Sequence, residues 1–159
     1  MAETKGAIAA VNHWRGQCLD NFARAEKAII LAICELAKQQ HETGPALNEA
    51  AANRTKDLAS SIRQRWPKES LAIRAAGLLD TWRLREKQRN QLVHGCFTVK
   101  GDDAERWFLI NEINEVRKGV NVVNRIPISR PEGAAFLDAV IVERKALEAA
   151  LKELKSLGT

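Results

Sequence analysis

A four-and-three spacing of residues between Leu71 and Gly95 constrains the fold of this chain more than any other feature. The positions that follow this spacing are Leu71, Ala75, Leu78, Trp82, Arg85, Arg89 and Leu92. Such a spacing places side chains along one stripe of an α-helix. Gly95 stands where helices often end in a left-handed residue. The sequence therefore predicts a long helix that ends at His94.

Two arginines lie on this otherwise apolar stripe. Arg85 and Arg89 occupy positions where a core-facing side chain is expected. Guanidinium groups are seldom buried without a partner. This end of the helix is therefore predicted to face a wet cleft, an anion or a symmetry mate. His94 follows Arg89 and supplies an imidazole, the type of side chain that exchanges protons near neutral pH.

Three further helices are predicted around this one. The first runs from about Ala7 to Gln40, with a heptad-like seam formed by Cys18, Phe22, Ala25, Ile29, Ala32 and Leu36. The second starts at Gly44-Pro45 and ends near Trp66, with an apolar face formed by Leu47, Ala51, Leu58 and Ile62. Pro67 separates it from the third helix. Ser129 and Glu132 have the spacing of a capping box. These two residues mark the start of the last predicted helix. Its apolar face is formed by Phe136, Val140, Leu147, Leu151 and Leu154.

A change of period after Gly95 predicts a small β-hairpin. Phe97 and Val99 alternate on one side of a short strand, and a turn at residues 101–103 leads to a return strand at residues 106–110. Residues 111–128 carry no pattern that assigns them. The fold class is therefore mainly α: an up-and-down bundle of four or more helices with a small hairpin, in one domain over residues 1–159.

The positive charge is concentrated in one part of the chain. Residues 63–89 contain eight basic and three acidic side chains, and 8 − 3 = +5 equals the formal net charge of the whole chain. A basic concentration of this kind suits a polyanionic partner. A solvated helix face explains the charge equally well, so both interpretations stay open at this point.

Several classes of protein are disfavoured by the remaining residues. The N-terminus lacks a signal-peptide pattern, and the longest apolar run, Ala28 to Cys34, is too short to span a bilayer. The three scattered cysteines disfavour a disulfide scaffold and a zinc site, and they favour the cytoplasm. His13 and His41 are interpreted as surface histidines, Trp14 and Trp82 as packing residues, and Cys96 as a buried structural thiol. We expect no metal and no membrane association.

The segment Arg89-Asn90-Gln91-Leu92-Val93-His94 resembles the motif of the HEPN family (higher eukaryotes and prokaryotes nucleotide-binding). That motif is R-X(4–6)-H with a polar residue next to the arginine, a position held here by Asn90. The resemblance implies a HEPN-like helical bundle and a homodimer that cleaves RNA without metal or cofactor. It implies that His94 acts as general base or acid, that Arg89 neutralises the phosphate and that Asn90 orients the reacting groups. Candidate RNA contacts precede the motif at Arg83, Arg85 and Lys87.

Two alternatives to this enzyme stay open. A histidine in the last helical turn is also a common structural helix stop. A HEPN-type module can bind RNA, a nucleotide or a protein partner without chemistry. One branch of HEPN toxins carries a modified tyrosine two residues after the histidine, where this chain has Cys96, and the chain contains no tyrosine. Control by tyrosine AMPylation is therefore not expected, while a toxin with an antitoxin or other partner of another kind stays open.

Overall fold

The computed structural model of the protein describes residues 2–40, 50–101, 103–117 and 119–158. In these ranges it contains four α-helices and three strands, so the prediction of a mainly helical protein is confirmed. In chain order they are α1 (Ala2–Gln40), α2 (Ala51–Arg65), α3 (Ser70–His94), β1 (Cys96–Gly101), β2 (Trp107–Arg117), β3 (Val120–Ser129) and α4 (Arg130–Glu153), followed by a 3-10 helix (Leu154–Gly158). None of the described helices is long and apolar enough to cross a bilayer.

The predicted helices α1, α2 and α4 form close to their expected positions. The seam of α1 is buried at Cys18, Phe22, Ala25, Ile29 and Ala32, as its spacing predicts. Helix α2 starts at Ala51, after a non-helical Ala50, so the predicted start at Gly44-Pro45 was too early. It ends one residue before Trp66, and Leu47 and His41 lie outside the described residues. One half of the predicted capping box forms at the start of α4, where the Glu132 side chain bonds back to Ser129. Glu132 Oε2 accepts hydrogen bonds from the backbone N–H of Ser129 at 2.8 Å and from its hydroxyl at 2.6 Å.

The buried side of α3 includes part of the predicted stripe and extends beyond it. Ala75, Trp82 and Leu92 of the stripe are buried. Leu79 and Glu86, each one position after a stripe residue, are buried as well. Arg85 and Arg89 are both partly exposed, so neither lies in a dry core.

The three strands form one antiparallel sheet in the order β1-β2-β3. The predicted hairpin is confirmed as β1 and the first half of β2, and residues 111–128, which carried no assignment, complete β2 and form β3. Pro127 is tolerated because β3 pairs with β2 alone and leaves one edge open. One face of β2 is buried at Leu109, Asn111 and Ile113.

Gly95 does not adopt the left-handed conformation that the sequence predicts. Positive φ angles occur instead at Gly101 (137°) and Gly119 (79°). The N–H of Gly95 donates to the carbonyl of Gln91 at 3.0 Å, and the chain continues directly into β1. The helix therefore needs no left-handed residue at its end, because the strand that follows redirects the chain.

The chain divides into two compact units, which share helices α1, α3 and α4. The first unit comprises Met1–Asp20 and Gln88–Ala139, and the second comprises Asn21–Lys87 and Val140–Thr159. In the first unit, the Trp14 and Trp107 rings pack with centroids 5.7 Å apart. In the second, Phe22 and Trp82 pack at 5.3 Å, so the packing roles predicted for Trp14 and Trp82 are confirmed. One domain over residues 1–159 stays a prediction.

Candidate functional site

The motif residues lie at the end of α3, within the first unit. Asn90 and His94 are exposed and Arg89 is partly exposed, so solvent reaches all three side chains. Arg89 Nη1 donates a hydrogen bond to Asn90 Oδ1 at 3.2 Å. Asn90 and His94 are four residues apart and share a helix face. Arg89 and His94 are five apart, roughly 140° around the axis. Within one chain, therefore, the helix does not aim its guanidinium and its imidazole in the same direction.

Arg15 of α1 secures the end of α3 and adds a positive charge there. Its Nη2 donates to the carbonyl oxygen of Val93 at 3.1 Å, and its guanidinium carbon lies 4.6 Å from the ring centroid of Phe97. The last carbonyls of a helix lack intrahelical partners, and a cation there is favourable. Sequence reasoning missed Arg15 because it lies 78 residues from Val93 in the chain.

Asn111 fastens the same helix end to the sheet. Its side chain is 1% exposed, and its Nδ2 donates to the Gln91 carbonyl at 3.1 Å, the same oxygen that accepts from Gly95. A Cβ at position 95 would overlap Asn111 Oδ1, so glycine is required there for close approach rather than for conformation. Alternation of Leu109, Asn111 and Ile113 in the sequence was the signal that could have found a buried strand position at Asn111.

A cleft of about 260 Å³ opens beside this helix end, within the first unit. We call it the Trp14 cleft. Its lining residues are Trp14, Gln88, Gln91, Leu92, Asn111, Ile126, Pro127, Ile128, Glu132 and Phe136. The Trp14 indole N–H donates to the carbonyl of Gly133 at 2.7 Å, so its polar edge is satisfied and its hydrocarbon surface contributes to the wall. Sequence reasoning missed this cleft because it is built from five elements, α1, α3, β2, β3 and α4.

The basic residues predicted as RNA contacts before the motif differ from one another in their surroundings. Arg85 donates two hydrogen bonds to Glu143, from Nε at 2.8 Å and Nη2 at 2.6 Å, and these raise the pKa of the guanidinium. Arg83 is partly exposed, and Lys87 is exposed. Other members of the basic segment are also paired: Arg63 with Asp80, and Arg74 with Glu153 at 3.5 Å. Much of the local positive charge is thus balanced within the second unit.

Glu86 is buried in the second unit, a feature that sequence reasoning missed. Its Oε1 accepts a hydrogen bond from the Thr55 hydroxyl at 2.6 Å. Burial raises the pKa of Glu86, and the charge of neighbouring Glu26 acts in the same direction. The Thr55 hydrogen bond and the charges of Arg83 and Arg54 partly oppose this shift. The shift follows from the position of Glu86 on the buried side of α3.

The cysteines and histidines form no metal centre in the described part of the chain, where no three side chains from His, Cys, Asp and Glu cluster. Cys96 is exposed, so the prediction that it is a buried thiol was wrong. It starts β1 on the sheet face opposite Phe97, which explains its exposure. Burial raises the pKa of Cys18 to about 12. His13 is exposed on α1.

Comparisons of the chain with protein-family models, with curated proteins and with solved structures found no match in any of the three. The chemistry of the site is therefore argued from its own side chains. At the end of α3 these are a permanent cation, an amide and an imidazole, all open to solvent. Such a set can bind a phosphate and transfer protons to or from it.

Proposed function

We propose that the protein is a metal-independent endoribonuclease of the HEPN type, with a composite active site formed by two copies of the end of α3. The observation that supports this most is the exposure of Arg89, Asn90 and His94 in a chain where several other arginines are paired with carboxylates. A guanidinium that has no carboxylate partner among the described residues, together with an accessible imidazole, suits a phosphodiester substrate.

The proposed reaction needs one base, one acid and neutralisation of the phosphate. His94 takes the proton from the ribose 2′-hydroxyl, and the resulting oxygen attacks phosphorus. The bond to the 5′-oxygen breaks, and that oxygen leaves with a proton from a second imidazole or from water. Arg89 balances the charge that builds on the phosphate oxygens, and Asn90 orients them. The products are a 2′,3′-cyclic phosphate and a 5′-hydroxyl, and DNA is excluded because it lacks the attacking group.

The divergence of Arg89 and His94 on one helix is the reason to place two chains at the site. A two-fold axis repeats the same patch on both subunits. His94 of one copy can then face Arg89 of the other across the axis, which the roughly 140° separation within one helix does not allow. We propose a cytoplasmic homodimer of this kind as a toxin or defence component, with an antitoxin or other protein partner. RNA contacts at Arg83 and Lys87 belong to the same proposal, and Arg85 is left out of it because its guanidinium is paired with Glu143.

The alternative function is a HEPN-type module that binds RNA, a nucleotide or a protein without chemistry. The same divergence of Arg89 and His94 favours it if the chain is monomeric, because one copy offers a basic surface without a converging catalytic pair. Binding through phosphate contacts would weaken steeply as salt rises.

The test is incubation of the full chain with single-stranded RNA in a metal chelator, with analysis of the new ends. Fragments with 2′,3′-cyclic phosphates are expected from the parent and from His13→Ala, a matched control at an exposed histidine of the same unit. Fragments should be absent with His94→Ala and with Arg89→Ala. Intact RNA that is retained by the protein in a salt-sensitive way would support the binding module instead.

A mixing experiment tests the composite site. His94→Ala and Arg89→Ala subunits are unfolded together and refolded, so that half of the dimers contain one of each. Each such dimer has one site with both an intact arginine and an intact histidine, so roughly a quarter of the parent activity should return. No recovery, with dimers confirmed by light scattering, would contradict a site shared between chains.

A further inference from the structure

The Trp14 cleft combines an apolar wall with a small number of polar groups. Trp14, Phe136, Leu92 and two isoleucines of β3 supply the hydrocarbon surface. Exposed residues at its border, Pro127 and Glu132, show that it reaches the protein surface. A volume of about 260 Å³ lies just below the range typical of drug-sized ligands. The cleft is therefore sized for one ring system rather than for an extended chain.

The polar groups of the cleft are suited to a neutral ligand. Gln88, Gln91 and Asn111 line it with amides, which both donate and accept hydrogen bonds. Asn111 Oδ1 is buried against Gly95, so the amides that a ligand in the cleft can reach are those of Gln88 and Gln91. The one carboxylate, Glu132, accepts two hydrogen bonds from Ser129, which lower its pKa and keep it negative. A phosphate is disfavoured inside the cleft for that reason.

The cleft and the motif occupy the same turns of α3. Gln88, Gln91 and Leu92 face the cleft, and Arg89, Asn90 and His94 lie between and after them in the sequence. The sugar and phosphate attached to a ring in the cleft would therefore leave it beside the turns of α3 that carry the motif. A ligand that joins a neutral heterocycle to a phosphate would therefore match the cleft and the motif together.

We infer that the Trp14 cleft binds a nucleobase, packed against Trp14 and Phe136 and hydrogen-bonded by the amides of Gln88 and Gln91. The choice of a nucleobase among planar heterocycles rests on the proposed action on RNA. Aromatic packing supplies affinity for any base, and the amides select by the donors and acceptors on its edge. The cleft thus determines which nucleotide lies beside the cleaved phosphate.

The test uses the four ribonucleosides, which carry a base and no phosphate. Each is titrated into the ¹⁵N-labelled full chain, and the NMR signals of side-chain amides and tryptophan indoles are followed. Saturable shifts are expected at Gln88, Gln91 and Trp14 for at least one nucleoside. Ribose 5-phosphate, which lacks a base, should leave these signals unchanged. Equal shifts with the sugar phosphate, or none with any nucleoside, would overturn the inference.

Two matched variants on β3 test where the ligand binds. Ile126→Phe enlarges a side chain that lines the cleft, and it should weaken nucleoside binding at least about tenfold. Val123→Phe makes a comparable change on the opposite face of the same strand, where Val123 is exposed, and it should leave binding unchanged. Equal affinities for the two variants would place the ligand elsewhere. Thermal unfolding of both shows that each is folded.

A third variant keeps the inference testable if Ile126→Phe does not fold. Gln91→Ala leaves the backbone carbonyl that holds Gly95 and Asn111, and it removes a single side-chain amide from the cleft. Nucleoside binding should weaken about threefold to tenfold. Nucleoside binding without RNA cleavage would retain the cleft inference and reject the enzyme. RNA cleavage without nucleoside binding would retain the enzyme and reject the cleft inference.

Discussion

Arg85 and Arg89 lie one helical turn apart on α3 and have opposite surroundings. Arg85, in the second unit, is held by two hydrogen bonds from its guanidinium to the Glu143 carboxylate. Arg89, in the first unit, donates to the neutral amide oxygen of Asn90. The charge of Arg85 is balanced inside the protein, and that of Arg89 faces solvent. The comparison separates an arginine that stabilises the fold from one available to an anionic partner.

Ion pairs occur in both units. In the second unit, they join α3 to acidic residues of α4 at Arg74–Glu153 and Arg85–Glu143. Arg54 is paired with Glu26, and Arg144 with Glu148 at 2.5 Å. In the first unit they include Arg125–Glu112 and Arg130–Glu105. None of these pairs includes Arg89.

The largest expected effect is on RNA cleavage. Arg89→Ala should reduce the rate about 10²- to 10³-fold, because a charged donor to the phosphate is lost. Arg85→Ala, the matched control one turn earlier, should reduce it less than about threefold, because Glu143 already occupies that guanidinium. Initial rates on one RNA, measured at a temperature where both variants are folded, give the comparison. Equal losses in the two variants would remove the distinction between the arginines.

The next effect is on stability and concerns two glycines of the same region of sequence. Gly95→Ala should lower the free energy of unfolding by about 1–3 kcal/mol, because its Cβ would overlap Asn111 Oδ1 and approach the Gln91 carbonyl to 2.6 Å. The matched control is Gly77→Ala in the interior of α3, where a Cβ would meet nothing within 4 Å. It should raise stability by about 0.5–1 kcal/mol. Urea denaturation measures both.

A double variant identifies the cause of the Gly95 effect. The cost of Gly95→Ala should be smaller in an Asn111→Ala background, because the overlapping oxygen is absent there. Additive losses would show that the backbone at position 95, rather than the approach of Asn111, sets the cost.

The effects of the two arginine variants on stability should have the opposite order to their effects on RNA cleavage. Arg85→Ala should lower the free energy of unfolding by about 1–2 kcal/mol, since a partly buried carboxylate loses its partner. Arg89→Ala should stay within about 0.5 kcal/mol of the parent, as is usual for surface positions. Denaturant melts of the purified variants provide the values. A stability loss for Arg89→Ala as large as that for Arg85→Ala would assign Arg89 a structural role.

The smallest effect is a pH dependence that arises in the second unit. Burial raises the folded-state pKa of Glu86 above its ordinary 4.5, so folding favours the protonated carboxyl. The stability that it contributes is complete below pH 4.5 and is lost as pH rises through the folded-state pKa. Glu86→Gln, which keeps an acceptor for Thr55, should therefore gain stability relative to the parent from pH 4.5 toward neutrality. Melting temperatures across that range test the sign, and a difference that does not vary with pH would contradict it.

Local patterns in the sequence were sufficient to predict the helices, the hairpin and one helix cap. Helical spacing predicted α1, α3 and α4, since the period of a helix is a property of consecutive residues. Glu132 caps the backbone N–H of Ser129 as the spacing predicts, because the two residues are only three apart. The hairpin after Gly95 was also predictable from alternation, although the third strand was not. Residues 111–128 mix polar and apolar positions because β3 is a partly exposed edge strand.

The sequence alone therefore determined a mainly helical chain, the helix end that carries Arg89, Asn90 and His94, and the exposed character of its polar residues. The tertiary structure decided which arginine is paired, why position 95 is glycine, and where the Trp14 cleft lies. Each of these depends on residues far apart in the chain, such as Arg85 with Glu143 and Gln91 with Asn111. The physical reason is that periodicity identifies the side of a helix or strand that is buried, whereas the partner on that side is set by packing of distant segments.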